Sequence, residues 1–168
     1  ADAVVSRVRA LLETELARGG PAGAVDACAE TAQVATRDES ERLGVRVRRV
    51  SLRFRNAADA PDDYERAALL RLEEAVRGGE LPSEVSEVVP VTGGGQELRY
   101  LRPVVVAPHC LGCHGRPEEL KPGVAEVLAR RFPDDPATGY SVGDLRGAVS
   151  VIVPLTEPAG PGGTPPAP

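Results

Sequence analysis

The sequence predicts an α+β protein with an antiparallel sheet. Helical periodicity is concentrated at the start of the chain, and the later strand-like segments are joined by hairpin turns or short helices. At 168 residues the chain has the length of one domain. We therefore expect a single domain over residues 1–155 that houses any functional site. A Pro/Gly-rich stretch over residues 156–168 should be a disordered tail or linker.

Four helices are expected along this domain. Apolar residues recur at helical spacing over residues 2–18, and the Gly-Gly-Pro sequence at 19–21 predicts where that helix ends. An alanine-rich second helix should follow as far as Gly44. Residues 61–79 begin with proline and two aspartates and end in Gly-Gly, which predicts a third helix, and residues 123–133 predict a short fourth one.

The strands are predicted from alternation and from turn residues. Residues 45–54, "VRVRRVSLRF", alternate apolar and charged side chains, and a slip of this phase at residues 48–49 predicts a β-bulge. Residues 86–91 and 98–106 flank a glycine-rich turn, which predicts an antiparallel hairpin. Residues 145–155 alternate in the same way and predict the last strand.

Charge and hydropathy exclude two classes of partner. The formal net charge is −5, and acids and bases are interspersed without a basic run, so nucleic-acid binding is not expected. Every apolar run is far shorter than the roughly 18 residues needed to cross a bilayer. The chain begins at Ala1 without a signal sequence, so we expect a processed or trimmed form, with membrane association only through a segment missing from it.

A Cys-x-x-Cys-His motif follows the hairpin directly, in the stretch "HCLGCHGR". A structural zinc site needs four ligands, and beyond the motif the chain offers only Cys28 and His109, without paired spacing. A thioredoxin-like redox pair belongs in a βαβ unit, whereas an antiparallel hairpin precedes this motif. A c-type haem needs only the pentapeptide: Cys110 and Cys113 add across the porphyrin vinyl groups, and His114 is an axial ligand of the iron. The motif therefore predicts one covalently attached haem c, and hence a periplasmic or otherwise exported protein.

The second axial ligand is not fixed by the motif. The chain contains no methionine, and His109 lies too close to His114 along the chain to reach the other face of a porphyrin. Cys28 shares a helical face with Ala24, Ala32 and Ala35, where a flat macrocycle could approach closely. A buried core cysteine is nevertheless the more common fate of such a residue.

The order of several segments resembles the PAS-like c-type haem sensor family. These segments are "DACAETA", "GVRVRRVSLRFRNAADAPDDYE", "LRYLRPVVVAPHCLGCHG" and "FPDDPATGYSVGDLRGAVSVIVPL", and the resemblance covers the chain from about Ala1 to Leu155. It implies a PAS-like antiparallel sheet with N-terminal and flanking helices, one haem c, and His/Cys ligation with Cys28 as the distal ligand. It also implies a role in redox or small-molecule sensing.

The expected function follows from a thiolate ligand to iron. Cys28 should bind ferric iron and be released on reduction, which would open a site for a small diatomic ligand such as CO or NO. The alternative is an electron-transfer cytochrome c with a redox partner protein. Catalysis is not expected, because no distal histidine is available as an acid–base group. We expect the haem propionates to be contacted by residues near the motif or on the flanking strands: Arg99, Tyr100, Arg116 and Arg146.

Overall fold

The computed structural model describes residues 1–155, apart from the side chains of Val4 and of residues 26–30. The predicted tail over residues 156–168 therefore lies outside the described residues. The first helix, α1 (Asp2–Leu43), is broken at Gly20, which has φ 64° and ψ −171° and precedes Pro21. The two predicted N-terminal helices are thus confirmed as two halves of α1.

The halves of α1 fold back on each other. Arg7 and Asp38 are 31 residues apart in the chain, yet their charged groups lie 2.7 Å apart. A straight helix would separate these residues by about 46 Å along its axis. The reversal at Gly20 therefore makes α1 a helical hairpin.

A capping box begins the second helix, α2 (Asp63–Gly78). The Asp62 carboxylate accepts a hydrogen bond from the Glu65 N–H at 2.8 Å, and the Glu65 carboxylate accepts one from the Asp62 N–H at 2.9 Å. These bonds satisfy two of the N–H groups that a helix start leaves without partners. The helix ends at Gly79 in the left-handed conformation.

Four strands form one antiparallel sheet in the order β1-β4-β3-β2. They are β1 (Arg46–Val50), β2 (Val85–Pro90), β3 (Gln96–Val105) and β4 (Leu145–Leu155). Two short helices, α3 (Leu111–His114) and α4 (Val124–Arg131), lie between β3 and β4. The predicted PAS-like α+β architecture is therefore confirmed, although β1 ends four residues earlier than its alternation predicted.

The predicted position of the β-bulge is wrong. β1 pairs with β4 without interruption. Arg48 and Arg49 therefore point to opposite faces of the sheet, where they meet different carboxylates, Glu65 and Asp59 respectively. The register shifts instead in the β3–β4 ladder, where Val104 and Val105 pair with residues 147 and 145. Arg146 is therefore the extra residue of a bulge at the start of β4.

Helices cover both faces of the sheet. On one face, α2 packs against strand residues to form the largest apolar cluster: Val50, Ala68, Leu69, Leu72, Leu101, Leu145 and Ala148. On the other face, the first half of α1 packs on Val47 and Val149. The second half of α1 contacts α3 and α4, so it lies beside the Cys-x-x-Cys-His motif. No helix in the described part of the chain is both long and apolar enough to span a membrane.

Candidate functional site

The Cys-x-x-Cys-His motif occupies two consecutive helical turns. A 3₁₀ turn at Pro108–Cys110 leads directly into α3, which ends where Gly115 becomes extended. Both glycines of the motif region are closely packed: a Cβ at Gly112 would lie 2.8 Å from Lys121 Cγ, and one at Gly115 would lie 2.7 Å from the Leu111 carbonyl oxygen. Glycine at these two positions therefore allows Lys121 and the Leu111 carbonyl to pack directly against the backbone of the motif.

The two motif cysteines lie in different apolar clusters. Cys110 packs with Val106, Ala137 and Tyr140. Cys113 packs with a cluster between α1 and α4 that includes Val25. Both thiols are free, and burial raises the pKa of Cys113. Among the described residues, no three His, Cys, Asp or Glu side chains lie together as a metal cluster, so the zinc interpretation finds no ligand set there.

His114 is held as a neutral imidazole in one tautomer. Its Nδ1 lies 2.7 Å from the Ala137 carbonyl oxygen, which can only accept a hydrogen bond. Burial, together with the charges of Arg146 and Arg55, lowers the pKa of His114 well below its ordinary 6.5. Nδ1 therefore carries the proton, and Nε2 keeps the lone pair that a metal ligand needs.

An aromatic ring and an arginine complete the surroundings of this imidazole. The Tyr140 ring meets His114 edge to face, with 6.3 Å between ring centroids. The Tyr140 N–H donates to the His114 carbonyl at 2.9 Å. Arg55 Nη2 lies 3.5 Å from His114 Nδ1 and donates to the Cys113 carbonyl at 2.8 Å. The imidazole orientation is thus fixed by residues from two distant segments.

Arg146, one of the predicted propionate partners, lies beside this site. The β-bulge places it at the start of β4, where Nη1 donates to Ser51 Oγ at 2.8 Å and to the Arg53 carbonyl at 3.2 Å. It makes no ion pair with any described residue, and burial lowers its pKa. Arg49 is paired with Asp59 at 3.1 Å, but its buried Nε has no hydrogen-bond partner within the described chain. On this side of the sheet, Arg146 therefore lacks a carboxylate partner and Arg49 Nε lacks a hydrogen-bond acceptor among the described residues.

The other three predicted propionate partners contact carboxylates of the protein. Arg99 is buried on the α2 side of the sheet and pairs with Asp62 and Glu97 at 2.5 and 2.7 Å. The Tyr100 hydroxyl donates to Glu84 at 2.8 Å. Arg116 is exposed and pairs with the neighbouring residues Glu118 and Glu119. Each side chain has a protein partner, and a role of any of them toward a propionate stays a prediction.

Cys28 is on α1, but its side chain lies outside the described residues. Val25, three residues earlier on α1, packs in the same cluster as Cys113. The three alanines predicted to share a face with Cys28, namely Ala24, Ala32 and Ala35, are all buried. The helix that carries Cys28 therefore passes the motif, while its role as an iron ligand stays a prediction.

The sequence-based prediction missed the residues that hold His114. These residues are Arg53 and Arg55, which follow β1, and Asp135, Ala137 and Tyr140 in the loop before β4. Both segments occur in the stretches on which the family resemblance rests, so a signal existed. Arg53 lies in the segment 45–54 that the alternation predicts as a strand, and Arg55 lies just beyond it. In the structure β1 ends at Val50, and both arginines contact the loop before β4.

Known proteins with the same pattern are found by sequence and by structure. The family described as Tll0287-like matches residues 2–154 of the chain. The crystal structure of the cyanobacterial haem protein Tll0287 superposes with a TM-score of 0.66, at 23% sequence identity over 93% of each chain. No curated protein matches. The structural likeness shows the shared fold.

Proposed function

The chain belongs to the Tll0287-like family, and we propose that it is a c-type haem protein with one haem attached through Cys110 and Cys113 and ligated by His114. The relative Tll0287 is described as a haem protein, which supports this proposal. The haem would supply an iron that cycles between the ferric and ferrous states. We further propose that the protein is exported and is not an enzyme.

The short contact between His114 Nδ1 and the Ala137 carbonyl oxygen is the observation that carries the proposal. Imidazole ligands in metal sites usually donate their second ring N–H to a carbonyl or carboxylate, which fixes the ring and increases its basicity. His114 already makes this bond to the Ala137 carbonyl at 2.7 Å. Because its pKa is well below 6.5, it does not need to lose a proton at neutral pH before binding iron.

The cysteines and the arginines also fit a haem. Each thiol can add its S–H across a vinyl group, which forms a thioether bond without a leaving group, and both thiols are free for this step. Arg146 has no carboxylate partner in the described chain, and the buried Arg49 Nε has no acceptor. Anionic propionates would compensate such groups, since a buried charge is costly unless it is paired.

We propose Cys28 as the second axial ligand and redox-linked release of its thiolate as the sensing event. A thiolate binds ferric iron strongly, and reduction of the iron weakens this attraction and favours reprotonation of Cys28. Release would leave a coordination position for a diatomic ligand. It would also free the second half of α1, which the reversal at Gly20 separates from the first half, to shift against α3 and α4.

Electron transfer is the second candidate, and the tight hold on His114 favours it. Tyr140, Ala137 and Arg55 contact the imidazole or its backbone from several directions, which limits rearrangement when the iron changes charge. In this case Cys28 would remain bound in both states. A redox partner protein would then replace the small ligand as the physiological partner.

Covalent attachment can be tested by expression in a periplasm that contains the machinery for cytochrome c maturation. Haem should remain with the polypeptide on a denaturing gel, and the pyridine haemochrome spectrum should be of the c type. The double variant Cys110→Ser/Cys113→Ser should lose this covalent haem. Haem that separates from wild type on the gel would contradict c-type attachment.

Ligation can be tested by low-temperature EPR of the ferric protein beside Cys28→Ala. A low-spin signal of narrow g-spread that becomes high-spin, or changes its ligand, in the variant would support thiolate ligation. Identical spectra would show that Cys28 is not a ligand. Reversible loss of the thiolate signature on reduction and reoxidation would favour the sensor, whereas fixed coordination with rapid electron exchange would favour the carrier.

A further inference from the structure

Two arginines that follow β1 reach across to the loop that accepts the hydrogen bond of His114. We call residues 135–138 the carbonyl loop, since Ala137 supplies the accepting carbonyl. Arg53 and Arg55 are separated by one residue, and both side chains point to this loop from more than 75 positions earlier in the chain. The carbonyl loop is therefore contacted by side chains from a distant segment of the chain.

Arg55 joins the carbonyl loop to the motif through one guanidinium. Its Nε donates to Asp135 Oδ2 at 2.8 Å, and Nη2 donates to the Cys113 carbonyl at 2.8 Å. The same Nη2 lies 3.5 Å from both the Ala137 carbonyl oxygen and His114 Nδ1. The ion pair is well buried, with side-chain exposures of 12% for Arg55 and 5% for Asp135.

Arg53 holds the same loop from its other side. Its Nε donates to the Pro136 carbonyl at 2.7 Å, and its Nη2 donates to the Thr138 carbonyl. The guanidinium lies over the Tyr140 ring, 4.1 Å from the centroid. Arg53 thus contacts the carbonyls on each side of Ala137, and Arg55 Nη2 lies 3.5 Å from the Ala137 carbonyl oxygen itself, so the two side chains hold that oxygen from both sides.

No backbone N–H of the described residues donates to the Ala137 carbonyl oxygen. The N–H groups of Gly139 and Tyr140 donate to the carbonyls of Gly115 and His114, which fixes the chain after the carbonyl loop. Within the loop, Asp135 Oδ1 accepts from the Ala137 N–H at 2.9 Å, so Asp135 connects the arginine to the residue that contacts His114. Arg55 therefore reaches the imidazole both directly, through Nη2, and through the Asp135 carboxylate.

We propose that Arg53 and Arg55 are positioning residues that set the hydrogen bond between His114 Nδ1 and the Ala137 carbonyl, and thereby the balance between ferric and ferrous iron. The inference rests on the proposed function of His114 as an iron ligand. A firm hydrogen bond makes the imidazole more basic, which stabilises the ferric state. Loosening the carbonyl loop therefore raises the reduction potential.

The test replaces each arginine by lysine, which keeps the charge but loses the planar fork that makes several directed hydrogen bonds. Arg55→Lys in the haem-loaded protein is expected to lower the stability of ferric relative to ferrous iron about tenfold. This change raises the reduction potential by about 59 mV. Arg53→Lys should shift the potential in the same direction, and it serves as the second variant if Arg55→Lys does not fold. Arg9→Lys is the matched control, because Arg9 has no predicted role at the site, is exposed and pairs only with Glu13 of its own helix.

Hydrogen exchange of the His114 Nδ1–H, followed by NMR, separates positioning from a merely structural role. Exchange should accelerate in Arg55→Lys and Arg53→Lys and stay at the wild-type rate in Arg9→Lys. Unchanged exchange and unchanged potential in folded lysine variants would overturn the inference. The exchange measurement does not need iron. If wild type attaches no covalent haem, the proposed function is contradicted, but the exchange rates of the haem-free variants still decide whether the two arginines position His114.

Discussion

Replacing Arg99 by methionine should destabilise the fold and leave the haem site unchanged. Arg99 is 6% exposed and contacts three carboxylates: Asp62 at 2.5 Å, Glu97 at 2.7 Å and Glu65 at 3.8 Å. Its guanidinium also lies over the Tyr64 ring, 4.7 Å from the centroid. All these partners belong to α2, its N-cap or β3, so the network joins α2 to the sheet on the face covered by that helix.

The size of the effect follows from what the variant leaves behind. Removing one partner of a buried ion pair typically costs 3–5 kcal/mol, because the remaining charge stays in a poorly solvated place. Glu65 is fully buried and its Oε1 has no hydrogen bond within the described chain, whereas Asp62 is 34% exposed and can be solvated. We therefore expect the lower end, about 3 kcal/mol, which corresponds to a fall in Tm of roughly 6–12 °C for a chain of this length.

Urea unfolding followed by far-UV circular dichroism measures this loss, and the absorption and EPR spectra of the haem-loaded protein report the site. Arg102→Met is the matched control, because Arg102 is on the same strand but pairs with Asp2 at the surface and should contribute less than about 1 kcal/mol. A spectral change in Arg99→Met that is absent from Arg102→Met would refute this reasoning. It would instead support the sequence-based prediction that Arg99 contacts a propionate.

Two further predictions concern the same fold. Burial alone would raise the pKa of Asp62, but the Glu65 N–H and the Arg99 guanidinium together hold it below its ordinary 3.8. The ionised carboxylate therefore stabilises the fold above about pH 4 and loses this contribution as the pH falls through its lower folded pKa, so Asp62→Asn should flatten the acid limb of a pH series of urea midpoints. Gly147→Ala should cost about 3 kcal/mol or more in the same assay, because its Cβ would lie 2.2 Å from the Val50 carbonyl oxygen at a φ of 153°. Gly78→Ala has open space around its Cβ and should be neutral or slightly stabilising, so equal losses in both alanine variants would contradict the steric argument.

Sequence patterns predicted the helices and strands because those signals are local. The apolar repeat of α1, the break at Gly20 and the capping residues of α2 each depend on neighbours within a few positions. The bulge depends instead on which residues of β3 and β4 pair, and no local pattern specifies that pairing. The phase slip at Arg48 and Arg49 has a different cause, since each arginine meets an acid on its own side of the sheet.

The candidate site divides in the same way. The spacing of Cys110, Cys113 and His114 is local, so the motif could be recognised in the sequence. The partner of His114 is a backbone carbonyl. Because every residue type has one, the identity of residue 137 could not indicate this bond. Arginines are so frequent in this chain that the sequence could not distinguish Arg55, which reaches the motif, from Arg99, which pairs on the opposite face of the sheet.

Arg146 joins the fold to the function, because its environment predicts effects of opposite sign with and without the cofactor. In haem-free protein its partly buried guanidinium has no carboxylate partner in the described chain, so Arg146→Met should leave the free energy of unfolding unchanged or raise it by about 1 kcal/mol. In haem-loaded protein a propionate would pair with Arg146, and the same substitution should cost about 3 kcal/mol.

Urea unfolding of wild type and Arg146→Met, each prepared with and without cytochrome c maturation, measures both values. A loss of similar size in the two forms would mean that the bonds from Arg146 to Ser51 Oγ and the Arg53 carbonyl are its main contribution. A change of sign would mean that the β-bulge at the start of β4 places a cation for an anionic group that the polypeptide itself does not supply.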